Sequence, residues 1–123
     1  MSQAIDFVRR FCEEWGKGSG VDTLLDYFTD DAVYHNIPVD PVVGKDAIGN
    51  MVAMFTTGVD RIEFRVRNIV GAGDIVLTER VDAFFYPDKT IELPVMGTFE
   101  VSGGKISAWR DYFDLNQFMS RMG

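Results

Sequence analysis

Apolar residues recur at helical spacing in the first part of the chain. Between Ala4 and Trp15 they fall every three or four positions, and the glycine-rich run at residues 16–20 ends the pattern. This spacing predicts an amphipathic helix with Ser2 as its N-terminal cap. A third helix is predicted over residues 45–57. The short second helix between them carries its apolar side chains at Val21, Leu24, Leu25 and Phe28.

Alternation of polar and apolar residues replaces helical spacing in the second half. Residues 61–67 alternate charged with apolar side chains, which predicts a half-exposed strand. Turns rich in glycine or proline separate three further predicted strands, at residues 75–86, 90–101 and 105–114. Pro94 indicates an edge position or a bulge. A short strand at residues 32–37 precedes the third helix, and a closing helix is predicted at 115–122.

The order of these elements predicts the fold class. Helices come first and hairpin-linked strands come later, an order typical of α+β proteins. A chain of 123 residues fits one domain, so we predict a single domain over residues 1–123. In it, a curved, mixed but mostly antiparallel sheet packs against the N-terminal helices and forms a cone. The open end of such a cone holds one deep apolar pocket.

Composition excludes several classes of partner. The chain has 12 basic and 19 acidic residues, a formal net charge of −7, and no basic stripe. We therefore expect neither nucleic acid nor an anionic membrane as a partner. The N-terminal residues lack the pattern of a signal peptide, and no apolar stretch reaches transmembrane length. Cys12, the single cysteine, is expected to be buried, and the absence of any disulfide pair predicts a cytoplasmic protein.

Charged side chains fall on strand faces that are otherwise apolar. In the long strand at residues 75–86, Arg80 and Asp82 share one face at a spacing that lets their side chains pair. In the last strand, Asp111 lies between Trp109 and Phe113 on one face. A carboxylate in that position is desolvated unless it is paired, and desolvation raises its pKa.

The early strand adds further polar groups. Tyr34 and Asn36 point to one side and His35 points to the other. Five polar residues could therefore line one cavity: Tyr34, Asn36, Arg80, Asp82 and Asp111. A buried arginine between two aspartates is also typical of an ion-pair network that fixes strand register. Spacing alone supports this structural interpretation as well as a catalytic one.

Motifs of other chemistries are absent from the sequence. One histidine and one cysteine cannot form a zinc cluster, and there is neither a G-x-S-x-G elbow nor a P-loop. The run from Gly71 to Gly73 lacks the last glycine of a dinucleotide-binding fingerprint. We therefore expect no metal and no cofactor, which leaves acid–base chemistry by carboxylates.

Three segments resemble the limonene-1,2-epoxide hydrolase family. They are YHNIP at residues 34–38, LTERVD at 77–82 and WRDYFD at 109–114. The order of helices and strands is also similar to that family over nearly the whole chain. The resemblance implies the cone-shaped fold of the nuclear transport factor superfamily. Because that superfamily also contains isomerases, cyclases and non-catalytic modules, the fold alone does not decide the function.

The resemblance implies a role for each of the five polar residues. Asp111 corresponds to the base that activates water, and Tyr34 and Asn36 correspond to the pair that positions it. Asp82 corresponds to the acid, and Arg80 bridges the two carboxylates. Opening an epoxide needs a proton for its oxygen and a base for the water, and a shared arginine can split the titrations of two carboxylates. The implied reaction is one-step addition of water to give a vicinal diol.

An apolar lining is expected around these groups, which suits a small hydrophobic epoxide, either cyclic or aryl-substituted. The expected lining consists of Met51, Phe55, Phe84, Leu93, Val95, Trp109 and Phe113. On the outer face of the sheet, Ile75, Val81 and Phe85 need cover. We therefore expect a homodimer.

Two other interpretations remain open. A ketosteroid-isomerase-like or polyketide-cyclase-like enzyme also uses an aspartate, a tyrosine and an apolar pocket. That chemistry has no need of Arg80 between two carboxylates. A non-catalytic binding module of the same fold would bind its ligand without Asp82 and Asp111.

Overall fold

The structure is a computed structural model that describes residues 3–122. Ser2, the predicted cap of the first helix, lies outside the described residues. The helices are α1 (Gln3–Gly16), α2 (Val21–Leu25), α3 (Lys45–Thr56) and α4 (Leu115–Met122). The strands are β1 (Phe28–Asn36), β2 (Val42–Val43), β3 (Arg61–Ala72), β4 (Ile75–Tyr86), β5 (Lys89–Ser102) and β6 (Lys105–Tyr112). No helix within residues 3–122 is long and apolar enough to cross a membrane.

Six strands form one sheet in the order β2-β1-β6-β5-β4-β3. All neighbours run antiparallel except β1 and β6, which are parallel. The helix α1 packs across β3, and α3 packs on β1 and α2. The predicted α+β class, with a mixed and mostly antiparallel sheet against N-terminal helices, is confirmed.

The apolar side of α1 forms the centre of the core. Phe11 makes edge-to-face contacts with Phe28 of β1 and Trp109 of β6, at ring-centroid distances of 5.5 and 5.1 Å. Cys12 is buried beside it, and burial raises the pKa of its thiol to about 12. The thiol is therefore a buried small hydrophobe, as predicted, and not a nucleophile.

One element boundary and one strand face differ from the sequence prediction in a way that affects the core. Phe28, which was predicted to belong to the second helix, begins β1 and pairs with Ile106 of β6. Strict alternation along the last strand would place Ile106 on the outer face, but it is fully buried. The register shifts between Glu100 and Val101, opposite Ser107, so an extra residue in β6 turns Ile106 inward. Tertiary pairing and a bulge therefore override the local pattern.

Pro94 lies in the half of β5 that extends beyond the end of β6. It pairs with Val81 of β4, whereas the pairing of β5 with β6 begins only at Met96. The half of β5 that contains Pro94 therefore has β4 as its only registered strand neighbour, which confirms the predicted edge position. The helix α4 covers this half, where Arg121 donates a hydrogen bond of 2.6 Å to the carbonyl of Glu92.

Candidate active site

Three strands bring the five predicted polar residues together on the inner face of the sheet. Arg80 and Asp82 point inward from β4, Asp111 from β6, and Tyr34 and Asn36 from β1. The parallel pairing of β1 with β6 places Asn36 directly opposite Asp111. All five residues are at most 5% exposed. Strand alternation thus identified the inner face correctly.

Arg80 is fully hydrogen-bonded inside the protein. Its Nε and Nη2 donate to the two carboxylate oxygens of Asp82 at 2.9 and 2.8 Å. Its Nη1 and Nη2 donate to the two oxygens of Asp111 at 3.2 and 2.8 Å. The remaining Nη1 hydrogen bond goes to Thr78 Oγ1 at 3.1 Å. A guanidinium has five N–H donors, and each one here has an acceptor.

The two carboxylates share this single cation. Arg80, Asp82 and Asp111 form a buried triad. When both carboxylates are ionised, this triad has a net charge of −1, which one proton neutralises. Burial raises the pKa of Asp82 to about 6, with Arg80 acting in the opposite direction and the charge of Asp111 adding to the rise. Burial alone would lower the pKa of Arg80, but the charges of Asp111 and Asp82 hold it well above its ordinary value. The arginine therefore stays charged while one carboxyl takes up a proton near neutral pH.

Trp109 is a further hydrogen-bond donor to Asp111. Its indole Nε1 donates to Asp111 Oδ1 at 2.7 Å, and both groups are buried. The same indole stacks on the ring of Tyr34, with centroids 4.1 Å apart and planes 13° from parallel. Trp109 therefore fixes both the carboxylate and the tyrosine beside it.

Tyr34 and Asn36 form the polar edge of the site next to Asp111. The hydroxyl of Tyr34 donates to Asn36 Oδ1 at 3.2 Å. Burial, and then the charge of Asp111, hold the pKa of Tyr34 well above its ordinary value, so the phenol keeps its proton. Asn36 Nδ2 is buried and has no acceptor among the described residues. Since a buried amide N–H normally has a partner, this atom is suited to binding a water molecule or a ligand oxygen.

Gly97 of β5 makes room for the triad, and the sequence analysis missed it. It pairs with Thr78 on one side and Asp111 on the other. A Cβ atom at this position would lie 2.5 Å from Asp111 Oδ1 and would also collide with Arg80 Nη1. The backbone of β5 therefore passes directly under the ion-pair network, where only a glycine fits.

An open cavity of about 110 Å³ lies above these groups. Asp82, Asp111, Tyr34 and Asn36 supply its polar wall, while Arg80 lies behind them. Five of the seven predicted apolar residues line it: Phe55, Phe84, Leu93, Val95 and Phe113.

Met51 and Trp109 are corrections to the predicted lining. Met51 of α3 packs against the core and does not reach the cavity wall. Trp109 points to the correct face but is fully buried beneath Tyr34. Alternation predicts the face on which a side chain lies, but not whether another ring covers it.

Several lining residues were missing from the sequence prediction. They come from α1, β3, the loop after β1, and α4: Trp15, Ile62, Phe64, Val39, Leu115 and Phe118. Trp15 and Ile62 fit apolar patterns that serve a core and a cavity wall equally well, so no sequence signal separated them. Phe118 packs on Phe84 at a centroid distance of 5.4 Å and closes one end of the cavity.

The remaining titratable groups lie elsewhere. His35 points away from the cavity, with its Nε2 2.9 Å from the carbonyl oxygen of Val39. The charged residues of β3 form an exposed row in which Arg65 contacts Glu63 and Glu92. Within residues 3–122, no three histidine, cysteine or acidic side chains are grouped so that they could hold a metal ion.

Comparisons with known proteins relate this site to one family. The chain is 34% identical over 94 residues to epoxide hydrolase EphG of Mycobacterium tuberculosis, an alignment that covers 76% of this chain and 62% of that protein. The structure of an LEH-like epoxide hydrolase of M. tuberculosis superposes with a TM-score of 0.82 at 31% identity, covering 95% of this chain and 86% of that one. A SnoaL-like polyketide cyclase structure from Shewanella putrefaciens has a TM-score of 0.86 at 13% identity, with 99% and 97% covered, which shows a shared fold alone. Residues 2–123 match the family model of the limonene-1,2-epoxide hydrolase catalytic domain, and the chain belongs to that family.

Proposed function

We propose that this protein hydrolyses a small hydrophobic epoxide to a vicinal diol in one step, without a cofactor. The observation that carries the proposal is the pair of aspartates bridged bidentately by one buried arginine, Arg80, on the wall of an apolar cavity. Such a bridge keeps two carboxylates in different protonation states at the same pH. Epoxide opening needs an acid and a base at the same moment.

Asp82 is the proposed acid. Its pKa of about 6 leaves part of the population protonated near neutral pH, and its side chain faces the cavity. As the epoxide C–O bond breaks, the Asp82 proton passes to the departing oxygen. Arg80 stabilises the carboxylate that remains, because both Asp82 oxygens accept its N–H groups.

Asp111 is the proposed base. A water molecule at the polar edge would accept a hydrogen bond from Asn36 Nδ2, which has no other acceptor among the described residues, and donate one to Asp111. The water oxygen bonds to the epoxide carbon while its proton passes to Asp111. Each turnover thus moves one proton from Asp82 to Asp111, and its return across the pair restores the starting state. Arg80 is hydrogen-bonded to both carboxylates throughout.

The cavity indicates the substrate class. Apart from its polar wall, its lining is aliphatic and aromatic and includes no basic side chain. The open cavity of about 110 Å³ is no larger than the roughly 150 Å³ cavity that holds benzene in another protein, so we propose that it takes at most one compact ring. We propose a cyclic or aryl-substituted epoxide.

The outer face of the sheet supports a homodimer as part of this proposal. Val70 and Leu77 are paired across β3 and β4 and are 60% and 39% exposed, and Met96 of β5 is 51% exposed. Exposed apolar side chains on one face of a sheet favour an interface between two copies of the chain. We propose the cytoplasm as its location because the single cysteine offers no internal disulfide. A purely monomeric mass by light scattering would contradict the dimer.

A single-turnover reaction in ¹⁸O-labelled water tests the chemistry. Excess enzyme is mixed with styrene oxide and with cyclohexene oxide, and the first diol is analysed by mass spectrometry. One-step attack by water places the label in the first diol. A covalent route would give an unlabelled first diol and would require a histidine to activate the second step.

Two variants serve as matched controls for this experiment. His35→Ala is expected to stay active, because its ring points away from the cavity. Asp111→Asn is expected to bind the diol but to form it about 10²–10⁴-fold more slowly. Absence of diol from any epoxide by a folded wild type would favour the isomerase, cyclase or binding-module interpretations.

A further inference from the structure

A second cavity lies behind the apolar wall of the proposed active site. It is an open cleft of about 200 Å³ between the turn at residues 18–20, α2, α3 and the start of β3. Trp15 and Ile62 line both this space and the active-site cavity, so they form a shared partition. The partition separates a space that suits one ring from a larger space that the proposed reaction does not use.

Packing alone holds the partition in place. The indole of Trp15 stacks on Phe64 with centroids 4.5 Å apart and planes 19° from parallel. Its Nε1 is buried and has no hydrogen-bond acceptor among the described residues. The guanidinium of Arg80 lies over the ring of Phe64, with Cζ 4.6 Å from the ring centroid. Trp15 therefore contacts Arg80 indirectly, through the ring of Phe64. Its indole makes no hydrogen bond to any described residue.

We propose that Trp15 and Ile62 set the upper size limit of the substrate by closing the active-site cavity against the second cavity. This inference rests on the proposed function and assigns the specificity-determining wall of the same site. An epoxide with one ring fits in front of the partition, whereas a second ring on the other epoxide carbon would collide with it. Shortening the partition would join the two spaces and admit the second ring.

Ile62→Ala is the decisive variant, because Ile62 makes up part of the partition without stacking on the aromatic core. Val52→Ala is its matched control, since Val52 lines the second cavity but not the active-site cavity. The measured quantity is the ratio of kcat/KM for trans-stilbene oxide to that for styrene oxide. Each variant is first checked for an unchanged circular dichroism spectrum.

The expected result is a ratio that rises about tenfold or more in Ile62→Ala, the usual scale of steric discrimination by one side chain. The ratio should stay within about twofold of wild type in Val52→Ala, because Val52 is not part of the partition. An unchanged ratio in folded Ile62→Ala, or an equal rise in Val52→Ala, would overturn the proposal.

A binding measurement separates this inference from the proposed chemistry. Toluene and biphenyl are unreactive probes with one and two rings, and their binding can be followed by NMR titration. Biphenyl should bind Ile62→Ala at least tenfold more tightly than wild type, while toluene changes little by comparison. If no variant or wild type turns over any epoxide, this titration still decides whether the partition limits ligand size. Equal biphenyl affinity in wild type and Ile62→Ala would refute the partition even with active enzyme.

Discussion

Turnover should fall steeply as the pH rises above 6, because the proposed acid loses its proton. Burial raises the pKa of Asp82 from its ordinary value of 3.8 to about 6. The protonated fraction is then about one half at pH 6 and about 1% at pH 8. We therefore expect kcat/KM for styrene oxide to fall about fiftyfold between these two pH values. The slope should approach a tenfold loss per pH unit.

The same shift predicts a change in stability with a defined sign. A raised pKa means that the native state binds the proton more tightly than the unfolded chain. The stabilisation of the native state by this proton is therefore complete below the pKa of Asp82 in the unfolded chain. It is lost as the pH rises through about 6. Between pH 4 and pH 7 this one group should remove about 2 kcal/mol from the free energy of unfolding.

Urea denaturation and pH–rate profiles of the wild type and Asp82→Asn test both statements. The variant has no proton to lose at this position, so the difference in unfolding free energy between the two proteins isolates Asp82. Carbon-13 NMR of the Asp82 carboxyl gives its titration directly. A wild-type rate that stays flat from pH 6 to 8 would remove Asp82 from the role of acid. So would an Asp82→Asn variant that keeps near-normal turnover.

Three substitutions test the other two members of the triad and the glycine that makes room for it. Asp111→Asn should keep the fold and lower kcat by about 10²–10⁴-fold, the usual contribution of a general base, in a steady-state assay. Arg80→Lys should lose activity, because three ammonium N–H groups cannot replace five donors in a planar fork. Full activity of Arg80→Lys would mean that the positive charge alone matters at this position. Gly97→Ala should lower both Tm and kcat, since its Cβ would overlap the triad. An unchanged Tm would show that β5 can move away.

The sequence predicted the polar part of the site well because strand alternation depends on local geometry alone. Arg80 and Asp82 had to share a face once the long strand was recognised, and Asn36 followed Tyr34 for the same reason. Their meeting with Asp111 depends on the sheet order, in which β1 runs parallel to β6 and β5 separates β4 from β6, and no local pattern contains that order. The shared faces predicted only that the five residues could line one cavity, and the family resemblance added a role for each.

The remaining parts of the site depend on register and depth. Gly97 has no side chain, and its importance appears only when β5 is placed between β4 and β6. Trp15 and Ile62 belong to apolar patterns that predict burial, but a cavity wall and a core have the same pattern. The bulge at Ser107 also shifts one residue of β6 to the other face. These features arise from tertiary pairing, which overrides local propensity.

Trp109 gives the proposed acid and the proposed base different sets of hydrogen-bond donors. Both carboxylates accept two N–H groups from Arg80, but only Asp111 also accepts one from the indole of Trp109. The two carboxylates therefore differ in the donors that they meet, and this difference supports the proposed roles of Asp82 as the acid and Asp111 as the base. The same indole stacks under Tyr34, whose hydroxyl donates to Asn36 at the polar edge of the site. One buried tryptophan, expected from the sequence to contact the substrate, therefore contacts the proposed base directly and supports the pair that is proposed to position its water.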